Sequence, residues 1–299
     1  CYSCFMTVQE ELINARKQLE LATAGGCPVS TTPALDAYLL LSCASGLSRA
    51  VLMAHPDYSA DEWSDQFHSF IARRLTGEPV AYITGIKEFW GMDFAVSPAV
   101  LIPRADTEIL VERALAVIGN STQNPVHVLD ACTGSGCVAI ALAATAGNCE
   151  ITAFDISPGA LAVARQNART LLDPARNIRF LDHDLRTGLP PSSAVPDGRY
   201  SLIVSNPPYV PAGIARDLLK DGRGEPLLAL DGGTDGLDLV RVLTDHAATM
   251  LNPGGTLLIE TGEYNAKDAA EYLKQHGFAG IVVHPDLAGQ DRVVEGVKP

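Results

Sequence analysis

The chain has 299 residues, 47% of them hydrophobic and 19% charged. That balance excludes wholesale disorder and leaves room for two domains, or one large and one small. Acidic side chains number 35 against 22 basic ones, a formal charge of −13, opposite to the basic field with which nucleic-acid binders neutralise phosphates.

No apolar run approaches the roughly 18 residues of a membrane span. No basic stretch precedes an apolar one at the N-terminus, so no signal peptide is expected. Seven scattered cysteines, odd in number, fit a reducing cytoplasm better than a disulfide framework. Cys1 and Cys4 form a C-x-x-C, but no second ligand pair follows at zinc-site spacing, and no metal site is expected.

The first eighty residues read as a small helical bundle. Val8 to Ala24 carries Leu12, Ala15, Leu19 and Ala22 at three-and-four spacing. A break follows at Gly25-Gly26-Cys27-Pro28, and Thr32-Pro33 offers a cap and a first-turn proline for a second helix. Leu35, Leu39 and Ser42 or Cys43 give that helix its expected inward stripe. Ser59 and Glu62 form a candidate capping box for a helix running through Phe67, Phe70, Ile71 and Leu75 to Gly77.

Residues 81–105 read as a connector built on a β-hairpin, with Lys87 to Trp90 and Asp93 to Val96 flanking Gly91-Met92. From 106 to 299 strand and helix alternate. Strands are expected at Val126–Asp130, Ile151–Asp155, Asn177–Leu181, Tyr200–Ser205, Thr256–Glu260 and Ile281–His284. Helices are expected after the turn at Gly134 and at Pro158–Thr170, Leu237–Leu251 and Ala266–His276. Such alternation implies an α/β fold with a parallel sheet covered on both faces.

The first of these strands runs into Ala131-Cys132-Thr133-Gly134-Ser135-Gly136. Glycines there let a ligand approach the backbone at a helix N-terminus. The second strand ends at Asp155, about twenty residues beyond the turn, where a carboxylate can take both hydroxyls of a ribose. A nucleoside is implied. The relaxed pattern Gly134-x-Gly136-x-x-Ala139 leaves S-adenosylmethionine and a nicotinamide cofactor both open.

Tyr200–Ser205 leads directly into Asn206-Pro207-Pro208-Tyr209, at the carboxyl end of a strand, where ligands of open α/β sheets sit. Two prolines stiffen the turn and remove two N–H groups. An amide or arylamine nitrogen is a poor nucleophile because its lone pair is delocalised. The Asn206 side-chain oxygen and the Pro207 carbonyl can hold its two N–H bonds and stabilise the positive charge that grows as it attacks a methyl sulfonium. No strong general base is required.

On these residues the chain resembles the PrmC/HemK family of protein-(glutamine-N5) methyltransferases that modify class I peptide-chain release factors. The similarity covers nearly the whole chain. It includes GEPVAYITG from Gly77, FWGMDFAVSPAVLIPRADTE from Phe89, DACTGSGCVAIALA from Asp130, NPPY from Asn206 and EPLLALDGGTDGL from Glu225. The resemblance implies a seven-stranded class I (Rossmann-like) methyltransferase domain after an N-terminal helical domain that docks the release factor. Its antiparallel last strand would be Arg292–Gly296, paired with Ile281–His284. S-adenosylmethionine is then expected along Cys132, Thr133, Gly134, Ser135 and Gly136, at Asp155, beside Leu185 and near Asn206. Asn206, Pro207, Pro208 and Tyr209 would hold the target glutamine. Arg104, Thr107 and Glu108 match the family's stretch at the cofactor entrance, and would otherwise be a cap and salt link at a helix start. Cys132 stands where many methyltransferases have glycine, and is expected to hold an ordinary φ. Leu185 would make the adenine contact aliphatic.

Two other functions compete. An adenine-N6 nucleic-acid methyltransferase shares NPPY, but the charge of −13 and the lack of a basic segment oppose it. A nicotinamide oxidoreductase needs a positioned acid–base pair, and none is identifiable after the fourth strand. His183 and His246 read as surface or packing residues.

Overall fold

The computed structural model describes residues 6–24, 29–193, 197–220 and 224–299. Cys1, Cys4 and the break at residues 25–28 lie outside them. The chain divides into two compact units, one within Cys1–Gly85 and Asp217–Gly224, the other within Ile86–Arg216 and Glu225–Pro299.

The smaller unit contains α1 (Val8–Ala24), α2 (Pro33–Ser45), α3 (Arg49–Ala54), α4 (Asp61–Leu75) and α5 (Val80–Thr84). Its core includes Leu12, Ala15 and Leu19 of α1 and Phe67 and Ile71 of α4, the spacings read from the sequence. The expected stripe on α2 is wrong in phase. Leu35 and Leu39 are 39% and 37% exposed, whereas Ala37, Leu40 and Leu41 are buried. Asp36 sets that rotation. Its buried carboxylate pairs with Arg74 at 2.8 Å and accepts from the hydroxyls of Ser30 and Thr32 at 2.7 and 3.1 Å. Thr32 therefore serves Asp36 and does not cap α2. The Ser59 capping box is also absent, because α4 begins two residues later with Ala60 at its N-cap.

The larger unit opens with the hairpin β1 (Ile86–Phe89) and β2 (Met92–Ala95). Its turn is Trp90-Gly91, one residue earlier than expected, and both residues have positive φ (54° and 71°), as a two-residue type I′ turn requires. Glu108 stabilises the turn by accepting the Trp90 N–H at 2.9 Å. Phe89 and Phe94 are buried edge to face in the core of this unit. The hairpin is thus built into the larger unit, and α5 occupies the start of the segment expected to be a connector.

Then come α6 (Glu108–Asn120), β3 (Val126–Ala131), α7 (Cys137–Thr145), β4 (Cys149–Asp155), α8 (Pro158–Leu171), β5 (Ile178–Asp182), β6 (Tyr200–Ser205), α9 (Ala212–Lys220), α10 (Asp238–Met250), β7 (Leu251–Glu260), α11 (Ala266–Gln275), β8 (Ala279–Pro285) and β9 (Asp291–Val297). Seven strands form one sheet in the order β5-β4-β3-β6-β7-β9-β8, parallel except for β9, which is antiparallel to both β7 and β8. Side chains alternate between faces. Val128, Leu202, Val204 and Leu258 join the core under α6 and α7, and Leu129, Ile203, Leu257 and Ile259 join the one under α10 and α11.

A fragment covering residues 86–299 should fold cooperatively and bind cofactor. One starting at residue 106 should unfold at markedly lower temperature, since losing a buried Phe costs about 3–5 kcal/mol. Circular-dichroism melts of the two fragments check this, and equal midpoints would refute it.

Candidate active site

The carboxyl ends of β3, β4 and β6 open onto one cleft, the place where ligands of open α/β sheets sit. Cys132, Thr133, Gly134, Ser135, Asp155, Leu185, Asn206 and Pro208 line it. Gly136 does not: the space where its Cβ would stand is bounded by Ala164 and Ile140, so its role is to let α7 and α8 approach. Pro207 is buried, and Tyr209 points its hydroxyl at Glu260 (3.1 Å). The side chain of neither lines the cleft.

The turn after β3 is set by a buried acid. Asp130, 1% exposed, accepts the Thr133 hydroxyl at 2.6 Å and bonds the Ala139 backbone, while burial pushes its carboxyl up to about 7. Cys132 corrects the sequence expectation: its φ is +60°, a left-handed conformation that costs an ordinary residue roughly 1–2 kcal/mol. That bend turns the chain back toward β4. There the Thr133 N–H reaches the Phe154 carbonyl at 3.0 Å and the Gly134 N–H reaches Asp155 Oδ2 at 2.9 Å. Burial, then the nearby Asp155 and Asp130, push the Cys132 thiol far above its ordinary range.

Asp155 holds the turn from the other side. Its Oδ1 accepts the Ser157 N–H at 2.9 Å. A carboxylate has about four acceptor sites, and the backbone bonds from Gly134 and Ser157 do not fill them. Burial raises its pKa, and the backbone N–H groups oppose that rise. The adjoining walls are apolar: Ala99, Val100, Leu101, Phe154, Ile156 and Leu185. A polar pair of acceptors beside an apolar slot fits an adenosine. His183 also borders the cleft, edge-on to Phe154 and bonded to the Gly188 carbonyl.

Across the cleft the Asn206 amide donates from Nδ2 to Thr107 Oγ1 at 3.2 Å. Thr107 caps nothing on α6. The loop holding Asn206 is fixed from behind by the Gly-rich stretch after Glu225. Val210 and Asp231 form a parallel bridge. A Cβ on Gly236 would collide with the Tyr209 carbonyl oxygen, and one on Gly232 would stand 2.7 Å from that of Pro208. The Tyr209 carbonyl itself accepts from Asn265 (3.1 Å) and Tyr264 (3.3 Å).

Two acids escaped the sequence reading. Glu225, buried, takes Arg104 at 2.6 and 2.8 Å and the Ile102 N–H at 3.2 Å, so the Arg104 stretch is held to the segment whose Pro226, Leu228 and Ala229 border the cleft. Glu260, 1% exposed, closes β7. Burial raises its carboxyl to about 7 against the opposing pull of Thr107, Tyr209 and Arg292. The available signal for Glu260 was position alone, an acid ending the apolar run Leu257-Leu258-Ile259 at a strand's carboxyl end.

Both raised acids carry a pH consequence. Between their ordinary values near 4 and about 7 the folded chain holds protons that the unfolded chain has released, so their contribution to stability is present at low pH and is lost as pH rises through about 7. Urea unfolding at pH 5 and pH 8 should show a smaller loss of stability in Asp130→Asn combined with Glu260→Gln than in the parent. An unchanged difference would refute the assignment.

Comparison with known proteins agrees with this geometry. Residues 12–85 match the family model for the PrmC N-terminal domain, and residues 128–221 match a methyltransferase domain. The release factor glutamine methyltransferase of Koribacter versatilis (strain Ellin345) is 38% identical over 297 residues, 98% of this chain and 99% of that one. The Moorella thermoacetica protein of the same name is 39% identical over 289 residues, 96% and 97% of the two chains. Among solved structures, the Thermus thermophilus 16S rRNA N2 G1207 methyltransferase, in complex with AdoMet and guanosine, has the same fold. It aligns with a TM-score of 0.50 at 16% identity over 72% of this chain and 50% of that one. Similarity at this level along the full length, together with the cleft at the carboxyl ends of the sheet, places the chain in the release factor glutamine methyltransferase family.

Proposed function

We propose that the chain transfers a methyl group from S-adenosylmethionine to the side-chain amide nitrogen of the glutamine in the Gly-Gly-Gln loop of class I peptide-chain release factors, in the cytoplasm, and so supports translation termination. The shared cleft carries the proposal: the Gly134 turn, Asp155 and Asn206 border one space, and the Asn206 Nδ2 is committed to Thr107, which leaves its oxygen as an acceptor.

Cys132 to Ser135 and Asp155 hold the nucleoside, and Leu185 and Ile156 bound its apolar side. S-adenosylmethionine supplies an electrophilic methyl on sulfonium when bound. The protein's part is alignment. Asn206 Oδ1 and the Pro207 carbonyl accept the two N–H bonds of the target amide, orient its nitrogen and stabilise the charge that grows on it. The methylated amide is strongly acidic while it carries that charge, and its proton leaves without a dedicated base. Pro208 and Tyr209 keep the loop in shape, Tyr209 through Glu260.

Asn206→Ala should lower turnover by roughly 10²–10³ and leave cofactor affinity largely intact, measured with radiolabelled cofactor and purified release factor. Asn206→Asp should be nearly as poor, because it lacks the N–H that Thr107 receives. Parent turnover in Asn206→Ala under saturating conditions would sink the role.

The N-terminal unit docks the release factor. Its support is a core of its own and apolar side chains left exposed, among them Leu21 and Met53. The net charge of −13 supports a protein substrate over a nucleic acid, and no described helix is long and apolar enough to cross a membrane. The 86–299 fragment should bind S-adenosylhomocysteine as the full chain does but methylate intact release factor poorly. Full activity in the fragment would exclude docking through the missing unit.

A further inference from the structure

A primary amide presents nearly the same outline in two orientations, with its oxygen and its NH₂ exchanged. For Asn206 the two differ completely in chemistry. Facing the cleft, the oxygen accepts from a target amide N–H, whereas the NH₂ would meet that N–H donor to donor. Something must hold one orientation.

The neighbour in position to do so is Thr107, 2% exposed, whose Oγ1 lies 3.2 Å from Asn206 Nδ2. A hydroxyl can donate or accept, so Thr107 alone does not choose. It occupies the N-cap position of α6, where a threonine side chain commonly binds a free helix N–H, yet it makes no such bond. Glu260, nearly inaccessible to water, is close enough for the Thr107 hydroxyl to act on its carboxyl. Oε1 of Glu260 accepts the Tyr209 hydroxyl at 3.1 Å, and Oε2 is buried with no partner at hydrogen-bond geometry. The Thr107 hydroxyl is among the groups that favour the charged carboxylate. Burial opposes them and raises the carboxyl to about 7, so above that pH Glu260 is ionised and only accepts.

We propose that Thr107 is a positioning residue for methyl transfer: its hydroxyl donates a hydrogen bond to Glu260, must therefore accept from Asn206, and so fixes the Asn206 oxygen toward the target amide. Glu260 then anchors the Asn-Pro-Pro-Tyr loop at both ends, through Thr107 to Asn206 and directly to Tyr209. The inference rests on Asn206 being an acceptor for the substrate.

Thr107→Val keeps the shape and removes the hydroxyl. Its kcat should fall about 10- to 100-fold, the scale of a misaligned reacting group, with KM for release factor and affinity for S-adenosylhomocysteine at parent values. Thr107→Ser should recover most of the parent kcat. Thr107→Val introduced into Asn206→Ala should cost nothing further, because the two act through one bond. A Thr107→Val enzyme as fast as Thr107→Ser, or one impaired only in KM, overturns the proposal. Should Thr107→Val fail to fold, Glu260→Gln serves: its carboxamide can donate to Thr107 and turn the hydroxyl round. It should lower kcat with affinities unchanged, and a parent kcat there overturns the proposal equally. Asn206→Ala is measured alongside. If it transfers at the parent rate, the reading of Asn206 fails. If it is slow while Thr107→Val is not, the positioning role alone fails.

Discussion

The carbonyl oxygens of Pro208 and Tyr209 are covered so closely by Gly232 and Gly236 that no side chain fits between. Much of the site depends on this contact. It lets the Val210–Asp231 bridge form and keeps the Tyr209 carbonyl within reach of Asn265 and Tyr264. The two prolines contribute stiffness along the chain, and the glycines contribute closeness across it. A loop gripped this way has little freedom to relax, which suits a reaction that depends on aligning a weak nucleophile.

Acids at strand ends brace the site by other means. Asp130, Asp155 and Glu260 each end a strand or nearly so, and each accepts from at least one neighbouring donor. Asn167 on α8 extends the bracing: its amide bonds both backbone groups of Ala95 in β2 and also the Ser135 carbonyl. The hairpin and the Gly134 turn are thereby tied to one buried side chain.

Much of this was legible in the residues. Tyr200–Ser205 is a strand with the expected ends, because an apolar run bounded by an Asn-Pro leaves little choice. The Gly134 turn and Asp155 meet because β3 and β4 pair in parallel with Ala131 beside Phe154. Other features depend on partners distant in sequence. The phase of α2 was ambiguous, since Leu39, Leu40 and Leu41 run together, and a salt link to Arg74 decides it. Thr107 sits where a cap is normal, and only its proximity to Asn206, 99 positions away, reveals its bond. Cys132 takes a left-handed φ that its identity disfavours, since the hydrogen bonds beyond it require the bend. Gly136 belonged to the right motif but faces helix packing, a distinction that spacing alone does not contain.

Cys132 has a chemical side as well as a conformational one. A thiol beside a nucleoside cleft would ordinarily be a point of attack for oxidants and electrophiles, because the thiolate is the reactive form. Burial together with Asp155 and Asp130 keeps this one protonated. The same carboxylates that shape the turn thus hold its sulfur in the protonated, less reactive form.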